Sequence, residues 1–336
     1  MRDTKPNPVL AEVIRNGRVE SCHRGSAVVV DARGDVVFSV GDYERDIYPR
    51  SAIKFFQALP LIESGAADKF QLTDRQLALA CASHNAEPMH VDAVRAWLAD
   101  MGLSESDLEN GAELPRRDVD RHALAVQGEE PGRAHQNCSG KHTGMLTVAR
   151  HLGVDTRGYS AHDHPVQRKW METYSELVEL DIASLHWERD GCGMPAIMMP
   201  MHALARGSAL YANPDNLGKA RSEAVRTIVG AVATHPEMIA GTDRCCTDTI
   251  RATGGEVLVK TGAEAVYVAV MPRLGLGLAL KIDDGSSRGS EVALGALLKK
   301  LGAVDSETYR SLSAHFNPDV TNSQGYRTGS VQPVEI

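Results

Sequence analysis

Three short stretches place hydroxyl, amine and thiol side chains at spacings that could support nucleophilic chemistry. In YPRSAIKFFQALPLIESGA (48–66), Ser51 and Lys54 stand three residues apart, on one face of a first helical turn. That pair is either a helix cap followed by a solvent lysine or a nucleophile beside its base. The segment 51–63 reads as one helix, with Ile53, Phe56, Leu59 and Ile62 or Ala58 at helical spacing. Pro49 and Ser51 are its start signals and Gly65 its stop. A second stretch, NCSGKHTGML (137–146), starts a helix whose Cys138 and Lys141 share one face. A third, RDGCGMPA (189–196), is a Gly/Pro-punctuated turn able to bring Cys192, with Asp190, against them.

The tetrad S-x-x-K alone occurs by chance in many chains. Two further pieces follow it in order: S-x-N at Ser83-His84-Asn85 and K-T-G at Lys260-Thr261-Gly262. That order is the one found in active-site serine acyl-transferases of the penicillin-binding and serine β-lactamase architecture. A serine hydroxyl is a poor nucleophile until a neighbouring base takes its proton, and Lys54 is the candidate base. Lys260 is a second cation able to polarise a second hydroxyl, Ser83, which could relay a proton toward a leaving group. The backbone N–H of Ser51 at a helix start is suited to an oxyanion. Against this, Lys260 could merely decorate a strand and Ser83 could cap a turn.

The elements that must position these residues follow from the apolar pattern. SAVVVDARGDVVFSVGD (26–42) reads as a β-hairpin turning at Ala32-Arg33-Gly34-Asp35. Helices are expected over 74–82, 90–102, 140–152, 165–179, 216–233 and 290–302, and strands over 256–262, 265–272 and 275–283. The stretch 104–137 reads as a long irregular connection, and the last ~20 residues as an extended polar tail. Strands gather at both ends and helices fill the middle, so the expected class is α+β with a mostly antiparallel sheet. The sheet comes from about 8–45 and 250–305, the helical region from about 46–249, within a single catalytic unit spanning 1–336. No G-x-G-x-x-G lies between a strand and a helix, and no P-loop is present.

Composition narrows the class further. The chain has 336 residues, 43% hydrophobic and 24% charged, which is globular composition. A net charge of -8 and an aromatic content of 5% argue against a nucleic-acid surface. Neither a secretory-type apolar segment in residues 1–21 nor an apolar run near the ~20 residues of a membrane helix is found, so a cytoplasmic protein is expected. The six cysteines are then read as reduced thiols.

RSAIKFFQALPLIESGAAD, CASHNAEPMHVDAV, NCSGKHTGML, RDGCGMPA and KTGAE together resemble the rhizobial-type, or class 3, L-asparaginases, also called asparaginase II. The resemblance runs from about residue 8 to about 320. It implies an enzyme that releases ammonia from L-asparagine, a serine-β-lactamase or glutaminase-like fold, and a homodimer. It matches Ser51 with Lys54 to the family's first Ser-Lys pair, and Ser83 with Lys260 to the second. It also implies that Cys138, Lys141 and Cys192 line the site and can hold a zinc ion, with Asp190 nearby to tune it. His142 adjoins that cluster as a substrate contact, and Arg50 is a partner for a substrate carboxylate or else a surface ion-pair former. One departure stands out: the family typically has glycine after Gly-Ala-Glu, and here Ala265 follows Glu264.

The leading expectation is an amidohydrolase in which Ser51 attacks the side-chain amide of L-asparagine and a serine ester forms, with Ser83 the other candidate nucleophile. Glutamine is one methylene longer, a difference typically of ~1–3 kcal/mol in a pocket, so a glutaminase is the nearest alternative. A β-lactamase-like hydrolase and a catalytically silent amino-acid sensor are the others. His84, His90, His135 and His164 lack supporting spacing and are read as core or surface residues.

Overall fold

In this computed structural model, which describes residues 6–335, the branched apolar run at 26–31 lies at the centre of an eight-stranded sheet. The strand Arg18–Asp31 pairs antiparallel with Leu276–Ile282 on one side and with Val9–Arg15 on the other. Beyond Leu276–Ile282 come Val266–Met271 and Leu258–Gly262, also antiparallel. Val36–Val40 closes the expected hairpin onto Arg18–Asp31. The class is α+β, with helix and antiparallel sheet segregated along the chain as the sequence suggested.

Antiparallel strands with one wet face alternate apolar and polar residues. Here Ala27–Val30 and Val266–Met271 are buried at every position, because both faces are covered. Helix Met201–Ala212 lies on one face, where Ser26 donates to Met201 and a Cβ on Gly277 would meet Ala209 N at 2.1 Å. Helix Ser287–Lys300 lies on the other, with Val292 packed against Ala11, Val13 and Val331. Together with residues up to Ala52 and from Asp248 on, these elements form one compact unit.

The other unit, Ile53–Met198 with Pro214–Thr247, is helical. Its axis is Ser139–Leu152, buried from Ser139 through Ala149. Gly140 and Gly144 let neighbours reach the backbone of this helix: a Cβ on Gly140 would lie 2.2 Å from Leu79 O, and one on Gly144 3.2 Å from Leu61. The helices Leu59–Glu63, Asp74–Ala80, Pro88–Asp100 and Pro165–Val178 surround it.

Three expectations need correction. The single helix over 51–63 is a 3₁₀ turn Arg50–Ile53 followed by two short helices, Lys54–Gln57 and Leu59–Glu63. Pro60 has no N–H to continue the ladder, and the chain restarts with proline in its first turn. The connection at 104–137 contains the helix Asp118–Gln127, which buries no residue: Val119, Ala123 and Val126 stand at helical spacing but all are exposed. Acidic residues in its first turn and left-handed Gly128 at its end define it instead. The polar tail includes two strands, Asp319–Thr321 and Arg327–Pro333, the second pairing Val331 with Val13.

Candidate active site

The helical unit gathers most of the expected residues around the fully buried Lys54. Its Nζ lies 3.1 Å from Ser83 Oγ and 3.1 Å from Cys138 Sγ, and it also reaches the carbonyl of Ala82. Three acceptors match the three donors of an ammonium. A neutral amine there would instead offer a lone pair to the Ser83 proton. Ser83 itself sits on an extended strip after Asp74–Ala80, held by Ser83 N–H to Ile239 O at 2.9 Å and His84 N–H to Asn137 O at 3.1 Å. Ala86, in the same strip, is left-handed with φ 60°.

The strip is anchored through Asn85 and Glu87. Asn85 donates to Thr242 O at 3.0 Å and accepts from Arg244 at 2.7 Å. Glu87 accepts from Thr242 N–H at 2.6 Å, Thr242 Oγ1 at 2.7 Å, Arg117 at 2.5 Å and Asn85 at 3.3 Å. Burial opposes the Glu87 charge, yet these donors outweigh it and hold the carboxyl below its usual range. The Asn85 amide is therefore engaged in holding the loop. The four histidines read as structural are engaged as well. His84 bonds Ser139 and stacks on His90, His90 bonds Glu237 O, His135 accepts from Gly132 N–H, and His164 caps Pro165–Val178.

Cys138 and Lys141 leave the same end of Ser139–Leu152, and Cys192 comes from the turn between Trp187–Arg189 and Pro195–Ile197. Lys141 Nζ lies 3.3 Å from Cys192 Sγ. A hydrogen bond from Cys138 draws the Cys192 thiol down, against its burial, and Lys141 favours the same thiolate. Cys138, the donor in that pair and buried, is pushed up. Burial opposes the Lys141 charge, but Cys192, Cys138 and Asp190 together raise it. His142 is fully buried and neutral, drawn down to about 3 by burial first and by Lys141 next.

The donor set suits a zinc ion. With Zn–S ≈ 2.3 Å and Zn–N ≈ 2.0–2.1 Å, a tetrahedral centre sets sulfur and nitrogen about 3.6 Å apart. Lys141 and Cys192 stand within a few tenths of an ångström of that. Two thiolates would neutralise the dication once Cys138 and Lys141 gave up their protons.

Ser51, Arg50 and Lys260 belong to the sheet unit. Arg50 is left-handed with φ 52°, an uncommon conformation directly before Ser51. A Cβ on Gly262 would lie 2.2 Å from Pro49 O and 3.2 Å from Ala52 N. The K-T-G glycine is what lets its strand run against the turn that carries Ser51. Lys260 is fully buried and donates to Thr261 O at 2.8 Å. The turn after it holds Glu264 and Ala265 with φ 59° and 58°, so glycine's usual conformation is taken here by alanine. No motif marked Tyr159, whose hydroxyl meets His142, or Glu109, whose backbone N–H bonds that hydroxyl from a separate stretch of chain.

The sequence model of the L-asparaginase II family matches residues 11–333. No curated protein matches the chain at a significant level. Among solved structures, a “putative beta-lactamase from Bacteroides dorei DSM 17855” is similar at 14% identity and a TM-score of 0.46, over 83% of this chain and 93% of that one. A beta-lactamase from Mycobacterium bovis is similar at 13% identity and a TM-score of 0.40, over 87% and 94%. At such scores neither likeness bears on function.

Proposed function

Because the chain belongs to the L-asparaginase II family, we propose that it is an amidohydrolase releasing ammonia from L-asparagine through a serine ester. The observation that carries this reading is the buried Lys54 amine bonded to the Ser83 hydroxyl beside the Cys138–Lys141–Cys192 cluster. Ser51 attacks the amide carbon and its proton passes to Lys54. The tetrahedral oxyanion collapses, the C–N bond breaks, and ammonia leaves with a proton relayed through Ser83. Water then cleaves the ester, giving L-aspartate and restoring Ser51. Lys260 supports the second hydroxyl, and Arg50 pairs with the substrate carboxylate. In this reading the chain works as a single catalytic unit and a homodimer, in the cytoplasm. No described helix is long and apolar enough to cross a membrane.

Cys138, Lys141 and Cys192 would hold zinc, with Asp190 tuning the site. Bound there, the ion would supply a positive centre that binds and orients the substrate. The acyl transfer itself is assigned to the Ser and Lys residues. A second reading makes Ser83 the nucleophile, and the 3.1 Å bond to Lys54 favours it.

Ammonia release from L-asparagine, with L-glutamine and a β-lactam in parallel, tests the activity. Intact-mass detection of an aspartyl-enzyme in Ser51→Ala and Ser83→Ala tests the nucleophile. An ester that survives in Ser51→Ala and vanishes in Ser83→Ala selects the second reading. Turnover of glutamine or the β-lactam instead of asparagine would reassign the substrate. No release from any of the three, with and without zinc, would leave a sensor.

A further inference from the structure

His142 Nδ1 lies 2.6 Å from Tyr159 Oη, with the two rings edge to face at 79°. Both side chains are fully buried. The proton between them can be assigned by counting donors. Tyr159 Oη already accepts the Glu109 backbone N–H at 2.9 Å. Its own proton needs an acceptor away from bulk water, and His142 Nδ1 is the one in reach. Tyr159 therefore donates, Nδ1 accepts, and the ring carries its proton on Nε2. Nε2 has no hydrogen-bond partner among the described residues.

The surroundings of Tyr159 are built to keep it still. The Glu109 carboxylate accepts the backbone N–H groups on both sides of it, from Gly158 and from Ser160 at 2.9 Å. Gln167 donates to the Tyr159 carbonyl at 2.8 Å and accepts the Trp170 indole N–H at 2.7 Å. A ring clamped this firmly ends in a buried donor with nothing to bind, one residue from Lys141. Native proteins seldom leave such a donor orphaned, so it is placed to meet a water, an ion or a ligand.

We propose that Tyr159 is a positioning residue that fixes His142 as the Nε2–H tautomer, so that Nε2–H donates to an oxygen of the substrate. This rests on the amidohydrolase reading above. A protonated Nε2 also cannot ligate a metal, which keeps His142 out of the ligand set its neighbour Lys141 belongs to.

The tautomer is tested on the wild-type protein labelled with ¹⁵N-histidine, the His142→Gln variant identifying the resonances. Nδ1 is expected to resonate as an unprotonated nitrogen and Nε2 as a protonated one; the reverse overturns the proposal. Kinetics test the role. Tyr159→Phe keeps the ring and removes the proton that holds Nδ1, and is expected to raise KM for L-asparagine about tenfold, more than it lowers kcat. His142→Gln, which keeps an N–H near the Nε2 position, should retain more kcat/KM than His142→Leu. An unchanged KM in Tyr159→Phe, or a Gln variant no better than Leu, overturns the role. Should Tyr159→Phe fail to fold, the wild-type spectrum and the two His142 variants decide. A wild-type protein that releases no ammonia from any amide refutes the amidohydrolase reading instead, while the spectrum still decides the tautomer.

Discussion

Replacing Glu87 with glutamine changes one oxygen to NH₂ in a site with four donors, of which only the Thr242 hydroxyl can turn round and accept. The side chain is only 7% exposed, so water cannot make up for what is lost. The less damaging orientation keeps the carbonyl oxygen on Thr242 N–H and turns the NH₂ toward Arg117. The charge-assisted bond to Thr242 N–H then falls to a neutral one, a loss of about 1 kcal/mol. The Arg117 bond is lost outright; because Arg117 is 35% exposed, its share is discounted to about 1 kcal/mol. The Thr242 hydroxyl, which donates to the same atom, must turn round to accept from the NH₂, adding about another 1 kcal/mol. The expected destabilisation is therefore about 3 kcal/mol. All three tryptophans, Trp97, Trp170 and Trp187, lie in the helical unit, so fluorescence in a urea titration reads that unit. The folded-state pKa of Glu87 is depressed, so its contribution is present above the unfolded value of 4.5 and lost as pH falls through the folded value. The gap between wild type and Glu87→Gln should be full at pH 7 and shrink below pH 4.5. A loss under about 1 kcal/mol at pH 7, or a gap independent of pH, would refute the account of the strip.

Three further outcomes follow from backbone and charge. Ala265→Gly relieves a left-handed alanine and should stabilise the sheet unit by about 1 kcal/mol in calorimetry; a loss of stability would show that packing at this buried position outweighs the backbone. Gly140→Ala drives a Cβ against Leu79 O, a backbone atom that cannot turn aside, and should cost about 3 kcal/mol or more in urea; a soluble, unperturbed variant would contradict the packing at 2.2 Å. His315 lies between Asp248 at 2.8 Å and Glu291 at 3.5 Å, and despite burial, which opposes its charge, those carboxylates raise it. Its contribution is full below the unfolded value of 6.5 and lost as pH rises through the higher folded value. Calorimetry should show the advantage of wild type over His315→Gln fading across that window, and an advantage that grew with pH would reverse the assignment.

Residues that bury a face announced their structure in the sequence. Val28–Val30 and the strand Val266–Met271 were legible as short apolar runs, and Leu276–Ile282 by its alternating Leu276, Leu278, Leu280 and Ile282. Asp118–Gln127 was not: its Val119, Ala123 and Val126 stand at helical spacing, but ten residues are too short a window for that period to stand out among charged neighbours. Arg327–Pro333 was missed because only Ser330 and Val331 of its seven residues are buried, and pairing with Val9–Arg15 supplies the rest. At the site, spacing placed Cys138 and Lys141 together because they share a helix. It could not give the bond from Lys54 to Cys138, which joins residues 84 apart, nor the Tyr159–His142 pair. The Ala265 departure was visible as a missing glycine, and its meaning came only with the left-handed backbone.

Lys54 bears on more than the activation of a hydroxyl. The same Nζ is bonded to Ser83 and to Cys138, so the Ser83 hydroxyl and the thiol cluster share one amine. Whatever changes the charge on the Cys138 sulfur changes how strongly that sulfur competes with Ser83 for the amine. A thiol is a weak acceptor and leaves Lys54 largely to Ala82 O and Ser83 Oγ; a thiolate is a strong acceptor and pulls the ammonium toward itself. Metal bound through that sulfur would draw its charge the other way, freeing the amine to face the hydroxyl. By thermodynamic reciprocity, a substrate that engages Ser83 and Lys54 must then alter metal affinity by the same factor as metal alters substrate affinity. Under the proposed function, zinc held by that cluster would be coupled to the Ser83 hydroxyl through Lys54, a lysine outside the proposed ligand set, without the ion taking part in acyl transfer.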